Sequence, residues 1–238
     1  MKKLLKLQIR NIFHNKLFYI CLGLTLLTEP IMEFAMTLHS KNIESIRVFP
    51  QIVSFLSSEV GIISLIFIAL FCSFDFNEGT TKNIIARGYT RTQFLYSKYI
   101  ASLFGLLIMY IITISLIFIL FIRNGLGFES TMIYQLINSL FFIITYTILY
   151  ATMSVILEKN GAAIIACMFA PNIISLLLGL ADSHFKINIS KFWLDNVFIK
   201  FTTNPTLSNL TNSIVFCIIY TIVFILLGNK ILKNKEIK

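Results

Sequence analysis

Long apolar runs alternate with short polar intervals along the chain. Six runs approach or exceed the roughly 20 residues that an α-helix needs to cross a hydrocarbon core about 30 Å thick. They lie at residues 17–38, 52–74, 97–122, 132–157, 162–181 and 213–232. Short alternating segments separated by turns, the mark of a transmembrane barrel, are absent, and no polar interval is long enough to bury a core of its own. The pattern predicts an all-α membrane protein in which residues 1–238 form a single transmembrane domain. Residues 1–16 precede the first run and are no cleavable leader, because the run is too long and no small-x-small site follows it. Leu5, Ile9, Ile12 and Phe13 share one helical face, with Lys3, Lys6 and Arg10 roughly opposite. This suits an amphipathic elbow helix lying on the inner leaflet. Leu4 and Leu7 blur the pattern and leave a frayed basic tail as the alternative.

Among the polar intervals, residues 75–94 carry the most local structure. Asn77 has the side chain of a helix cap, a short helix is expected through Thr81, Lys82, Ile84 and Ile85, and Gly88 can take the left-handed position that stops it. Thr90 and Gln93 have the spacing of a capping box, with Tyr89 and Phe94 placed as a hydrophobic staple. A second, longer helix is therefore expected from Thr90 to Ile122, about 50 Å at 1.5 Å per residue. That exceeds the bilayer, so its first turns, with Arg91 and Lys98, should project into the cytoplasm. A short helix bearing Ile84, Ile85, Lys82 and Arg87 reads either as a docking element or as an ordinary helical loop.

The later part of the chain adds three features. Asn138, Thr145 and Thr152 recur every seven residues in the fourth run, a polar stripe for helix packing or, alternatively, a substrate path. Glu158 to Gly161 forms a tight turn, after which Ala162, Ala166 and Ala170 permit close helix or dimer packing, and Pro171 with Asn172 is expected to break the fifth helix. Residues 182–212 contain Phe192, Trp193, Val197 and Phe198 clustered against Lys191, Asp195 and Lys200, as in a short helix in the outer interface, or one dipping back between the fifth and sixth spans.

Composition agrees with the pattern: 57% of residues are hydrophobic and 13% charged. Of the 20 basic residues, all but Lys41, Arg47, Arg123, Lys186, Lys191 and Lys200 fall on one side if both termini are cytoplasmic. The positive-inside bias favours that orientation. The net charge of +9 flanks spans and does not form a folded basic face, which points to anionic lipid and away from nucleic acid.

Candidate chemistry is sparse. Glu29 and Glu33 lie four residues apart around Pro30 in the first run, where ionised carboxylates cost about 2.5–3.5 kcal/mol each and call for a cavity, a partner or each other. They suggest an acidic vestibule for a cationic or amphipathic substrate, while Glu59 reads more simply as reaching the outer interface. Cys21, Cys72, Cys167 and Cys217 fall within spans, with neither disulfide nor metal spacing. No phosphate-binding loop occurs, so any ATP must be bound by another chain.

The six runs, the basic elbow and above all Glu78-Gly-Thr-Thr-Lys-Asn-Ile-Ile-Ala-Arg-Gly-Tyr-Thr-Arg91, followed by Ser97 and Lys98, resemble the permease subunit of an ABC-2 type transporter. More narrowly, they resemble the small bacterial permeases of lantibiotic immunity, bacitracin resistance and modulin-peptide export. This resemblance implies a multi-pass protein of the bacterial cytoplasmic membrane and a cytoplasmic coupling helix between spans two and three. The residues that would dock on a separate ATPase are Glu78, Gly79, Thr80, Lys82, Asn83, Ile84, Ile85, Arg87 and Gly88. The resemblance also implies two ATPase copies holding ATP and Mg, a second permease chain (identical or a sister), an amphipathic peptide substrate, and neither enzyme activity nor cofactor in this chain. Two other readings stand beside it: a non-transporting scaffold or sensor, and an intramembrane enzyme using Glu29 and Glu33.

Overall fold

The computed structural model describes residues 1–39, 62–123 and 130–234, and these are helical with no strand. In chain order the helices are α1 (Lys2–His14), α2 (Lys16–His39), α3 (Ile62–Asn77), α4 (Thr80–Ala86), α5 (Arg91–Arg123), α6 (Ser130–Leu157), α7 (Asn160–Phe185), α8 (Leu194–Thr203) and α9 (Leu207–Asn234). Four of them, α5, α6, α7 and α9, are long and apolar enough to cross a membrane, and a fifth crossing exists if α3 and α4, bent by 67°, count as one. The first expected span falls on α2, a helix of 24 residues. The side chains of Glu29 and Glu33, and all of Glu59, lie outside the described residues.

The centre of the bundle is α6, the most enclosed of these helices, whereas α7 and α9 leave most of their surface facing outward. Helix α9 runs beside α6 in the same direction, and the polar stripe of α6 is the seam between them. Asn138 accepts a short hydrogen bond from Ser213, Thr145 lies 3.2 Å from both the Cys217 carbonyl and the Thr221 hydroxyl, and Thr152 lies 3.4 Å from the Phe224 carbonyl. All three residues are buried. The structure places all three in the packing between α6 and α9, where the Asn138 oxygen and the two threonine hydroxyls meet groups of the neighbouring helix.

Helix α7 corrects one expectation. Pro171 sits inside an unbroken helix, and Asn172 donates its side-chain amide to the Met168 carbonyl at 2.9 Å, next to the proline's missing bond. The buried face is Ala163, Cys167 and Pro171, whereas Ala162 is exposed and Ala166 and Ala170 are half-buried. The stripe that packs inside the chain is therefore one residue further along. The preceding turn is also tighter than expected: only Glu158 and Lys159 join α6 to α7, with Glu158 at φ 60°, and Gly161 lies inside α7.

At one end, α8 folds back onto α6 and α9. Trp193, Leu194, Phe198 and Phe201 are buried, Val197 is half-buried, and Phe192 remains 44% exposed. The Phe198 ring stacks on Phe142 at 4.3 Å. Asp195 fastens the helix, accepting from the Tyr146 hydroxyl at 2.6 Å and the Trp193 indole at 3.1 Å. The opposite end gathers α1, α4, the start of α5 and the end of α9. There Arg91 donates to the Leu232 and Lys233 carbonyls, and Asn229 to Tyr96.

Candidate functional site

Helix α3 runs on through Asn77, because the N–H groups of Glu78 and Gly79 still reach back to the carbonyls of Phe74 and Phe76. Asn77 is consequently no cap. The turn is made at Gly79, whose φ of 69° suits a residue without a Cβ, and the seven-residue α4 starts immediately after it. Gly88 closes α4 at φ 87°, as its sequence position predicts.

The start of α5 also follows the sequence. Gln93 N–H donates to the Thr90 hydroxyl at 3.2 Å and Thr90 N–H to the Gln93 side-chain oxygen at 3.1 Å, a reciprocal capping box. Phe94 is fully buried, with Tyr89 packed against the same small cluster. Replacing Thr90 by alanine removes one half of this box and is expected to cost about 0.5–2 kcal/mol. An unchanged unfolding midpoint in detergent would show that the join between α4 and α5 does not depend on it.

Beneath α4 lies a polar network that sequence reading placed in water. Lys98 is 1% exposed and forms a 2.8 Å ion pair with Asp75. Its ammonium also donates to the Phe71 carbonyl at 2.9 Å and sits 4.1 Å from the centre of the Phe71 ring. Asp75 in turn accepts from Gln8 of α1 at 3.1 Å and from Thr80, the first residue of α4, at 3.0 Å. One carboxylate therefore ties together α1, α3, α4 and α5. A sequence signal existed: Asp75 ends one apolar run and Lys98 begins the next, so antiparallel neighbours carry opposite charges at the same depth.

This network also explains which face of α1 turns inward. Leu4, Gln8 and Ile12 are the buried residues, while Leu7 and Phe13 remain exposed, so the protein-facing stripe is centred on a glutamine that the carboxylate needs. Lys3, Lys6 and Arg10 are exposed on the other side, as expected.

The residues expected to dock on a partner divide accordingly. Glu78, Lys82, Asn83, Arg87 and Gly88 are exposed, and Gly79, Thr80 and Ile85 are half-buried. Ile84 is only 9% exposed, packed with Leu4 and Phe94, so it fills this chain's own core and not a partner's groove. What remains outward is a small, mostly polar surface with both charges, on a helix braced at both ends. Beside it, an open cleft of about 780 Å³ separates α1 from α4.

Fold and site together define a multi-pass α-helical membrane protein with a braced surface helix at one end of its bundle. The chain belongs to a family described as protein of unknown function (DUF2705), which matches residues 16–238. No curated protein and no solved structure matches it.

Proposed function

We propose that this chain is the membrane-spanning permease subunit of an ATP-binding-cassette exporter of the ABC-2 type. It has six spans, with both termini and α4 on the inner side of a bacterial cytoplasmic membrane. The observation that carries the reading is the mounting of α4: a short helix with Glu78, Lys82, Asn83 and Arg87 exposed on or beside it, tied to α3 by the Thr80–Asp75 hydrogen bond and to α5 by the packing of Ile84 on Phe94. A force on α4 has two routes into the bundle. One passes through the Thr80–Asp75 hydrogen bond to α3, and the other through the Thr90 capping box to α5. The Asp75–Lys98 pair keeps these two helices in register.

In this reading, two ATPase subunits close on ATP and Mg and push on the α4 helices of two permease chains, identical or sister. The exposed charges hold the ATPase, with Ile85 adding apolar contact at the edge. The cargo is an amphipathic peptide, antimicrobial or modulin-like, exported from the cytoplasm or extruded from the bilayer. One observation favours a second reading, a non-transporting scaffold or sensor: Asn138, Thr145 and Thr152 are consumed in the α6–α9 seam.

Reversing Glu78 to Lys tests the docking. The expected result is loss of most co-purifying ATPase and of ATP turnover, with the helical content and oligomer size of the chain unchanged. Wild-type recovery of the ATPase with this variant would remove α4 as the docking element.

A further inference from the structure

The cleft beside α4 shares Asn83 and Arg87 with the docking surface but carries a further chemistry of its own. Its polar wall takes Asn11 and His14 from α1, Lys16 from the first turn of α2, Asn83 from α4 and Arg87 at its C-terminal cap, and Asn160 from the start of α7. Its carboxylate, Asp75, is already engaged by Lys98, Gln8 and Thr80. Lys16 and Arg87 are ion-paired with nothing among the described residues, so the cleft is cationic. Asn160 accepts from Ser73 through its side-chain oxygen at 2.8 Å, which leaves its NH₂ group to donate. Cations and amide donors around an open concavity of this size suit a phosphate group, which takes several charge-assisted hydrogen bonds at once.

Depth identifies the source of the phosphate. Lys16 is the last charge before the apolar run of α2, and Phe74 the last apolar residue of α3 before Asp75. The cleft therefore sits where the apolar helix surfaces end, at the level of lipid headgroups. Leu17, Leu70 and Phe74 line its other side, and Phe74 is 50% exposed. A free anion has no use for that wall, whereas a phospholipid has a glycerol backbone and acyl chains to lay along it.

We propose that this cleft binds the headgroup phosphate of an anionic phospholipid, held by Lys16 and Arg87, with the apolar end of the lipid against Leu70 and Phe74. The lipid would bridge the start of α2 to the end of α4, so the surrounding leaflet would contribute to the bracing of the exposed helix. This site depends on the membrane topology alone and needs no ATPase.

The test uses the full chain in mild detergent, without any partner, so that failure here and failure of docking are distinguishable. Native mass spectrometry would follow retention of dioleoylphosphatidylglycerol, dioleoylphosphatidylcholine or inorganic phosphate. Phosphatidylglycerol should be retained selectively, Lys16→Glu should weaken it about ten-fold, and Lys16→Arg should retain it. Arg87→Gln, far from the start of α2 in sequence, should weaken it in the same direction, which guards against misfolding of a single variant. Equal retention of the two lipids, or phosphatidylglycerol binding untouched by Lys16→Glu, would overturn the proposal. Displacement of the lipid by millimolar phosphate would overturn it too, assigning the cleft to a free anion.

Discussion

Replacing Lys98 by methionine should destabilise the folded chain by about 3–5 kcal/mol, the usual cost of removing one partner from a buried ion pair. The methionine fills much of the same space, so the loss comes from electrostatics. Asp75 would keep only the hydrogen bonds from Gln8 and Thr80, and the Phe71 carbonyl would lose its donor. The effect should be largely reversed by adding Asp75→Asn, since the double variant leaves no unpaired charge. Unfolding by denaturing detergent, followed by circular dichroism, gives all four corners of the cycle. A single variant within about 0.5 kcal/mol of wild type would mean that the pair is solvated and does not clamp the four helices.

A second large effect is expected at Gly228, where α9 crosses α5 and α6. A Cβ built there would run into the Tyr99 hydroxyl and come within 3.3 Å of the Thr152 Cγ2. Tyr99 cannot move away cheaply, because it is 2% exposed and 2.8 Å from the Thr152 hydroxyl. Gly228→Ala should therefore cost about 1–3 kcal/mol and Gly228→Val more, as overpacking does. Gly161→Ala is the control: nothing lies within 4 Å, and alanine's helix propensity should make it neutral or stabilising. Adding Tyr99→Phe to Gly228→Ala should recover part of the loss. Equal stability of the Gly228 and Gly161 variants would show that α9 sits farther from α5 than described.

The parts of this structure that were legible in the sequence are those fixed by local chemistry. The capping box at Thr90 and Gln93, the left-handed stop at Gly88 and the 33-residue length of α5 depend on residues a few positions apart or on one uninterrupted apolar run. Features set by neighbours in space were misread. Asn77 has the side chain of a cap, yet α3 continues through it and turns at Gly79. Pro171 lacks an N–H, yet the rest of α7 has bonds enough to stay helical.

Within apolar helices the difficulty is different. Both faces of α7 are hydrophobic, so spacing alone could not tell the Ala162 face from the Ala163 face. Polar residues on α6 could have lined a path as easily as a seam until Ser213, Thr221 and the carbonyls of α9 were seen opposite them. Lysine is usually solvated, and only the depth of Asp75 on the adjacent helix puts Lys98 inside.

The most direct measurement of the central claim is a photo-crosslink from Asn83, which is exposed on α4, in intact membranes of cells making the full chain. A photoreactive amino acid at that position should give a soluble ATPase as its main protein adduct, and the same residue at Leu180 on the outward surface of α7 should not. Identification of the adduct by mass spectrometry, with its loss on adding Glu78→Lys, is the predicted result. Absence of any ATPase adduct from Asn83, whatever else is captured, would contradict the account.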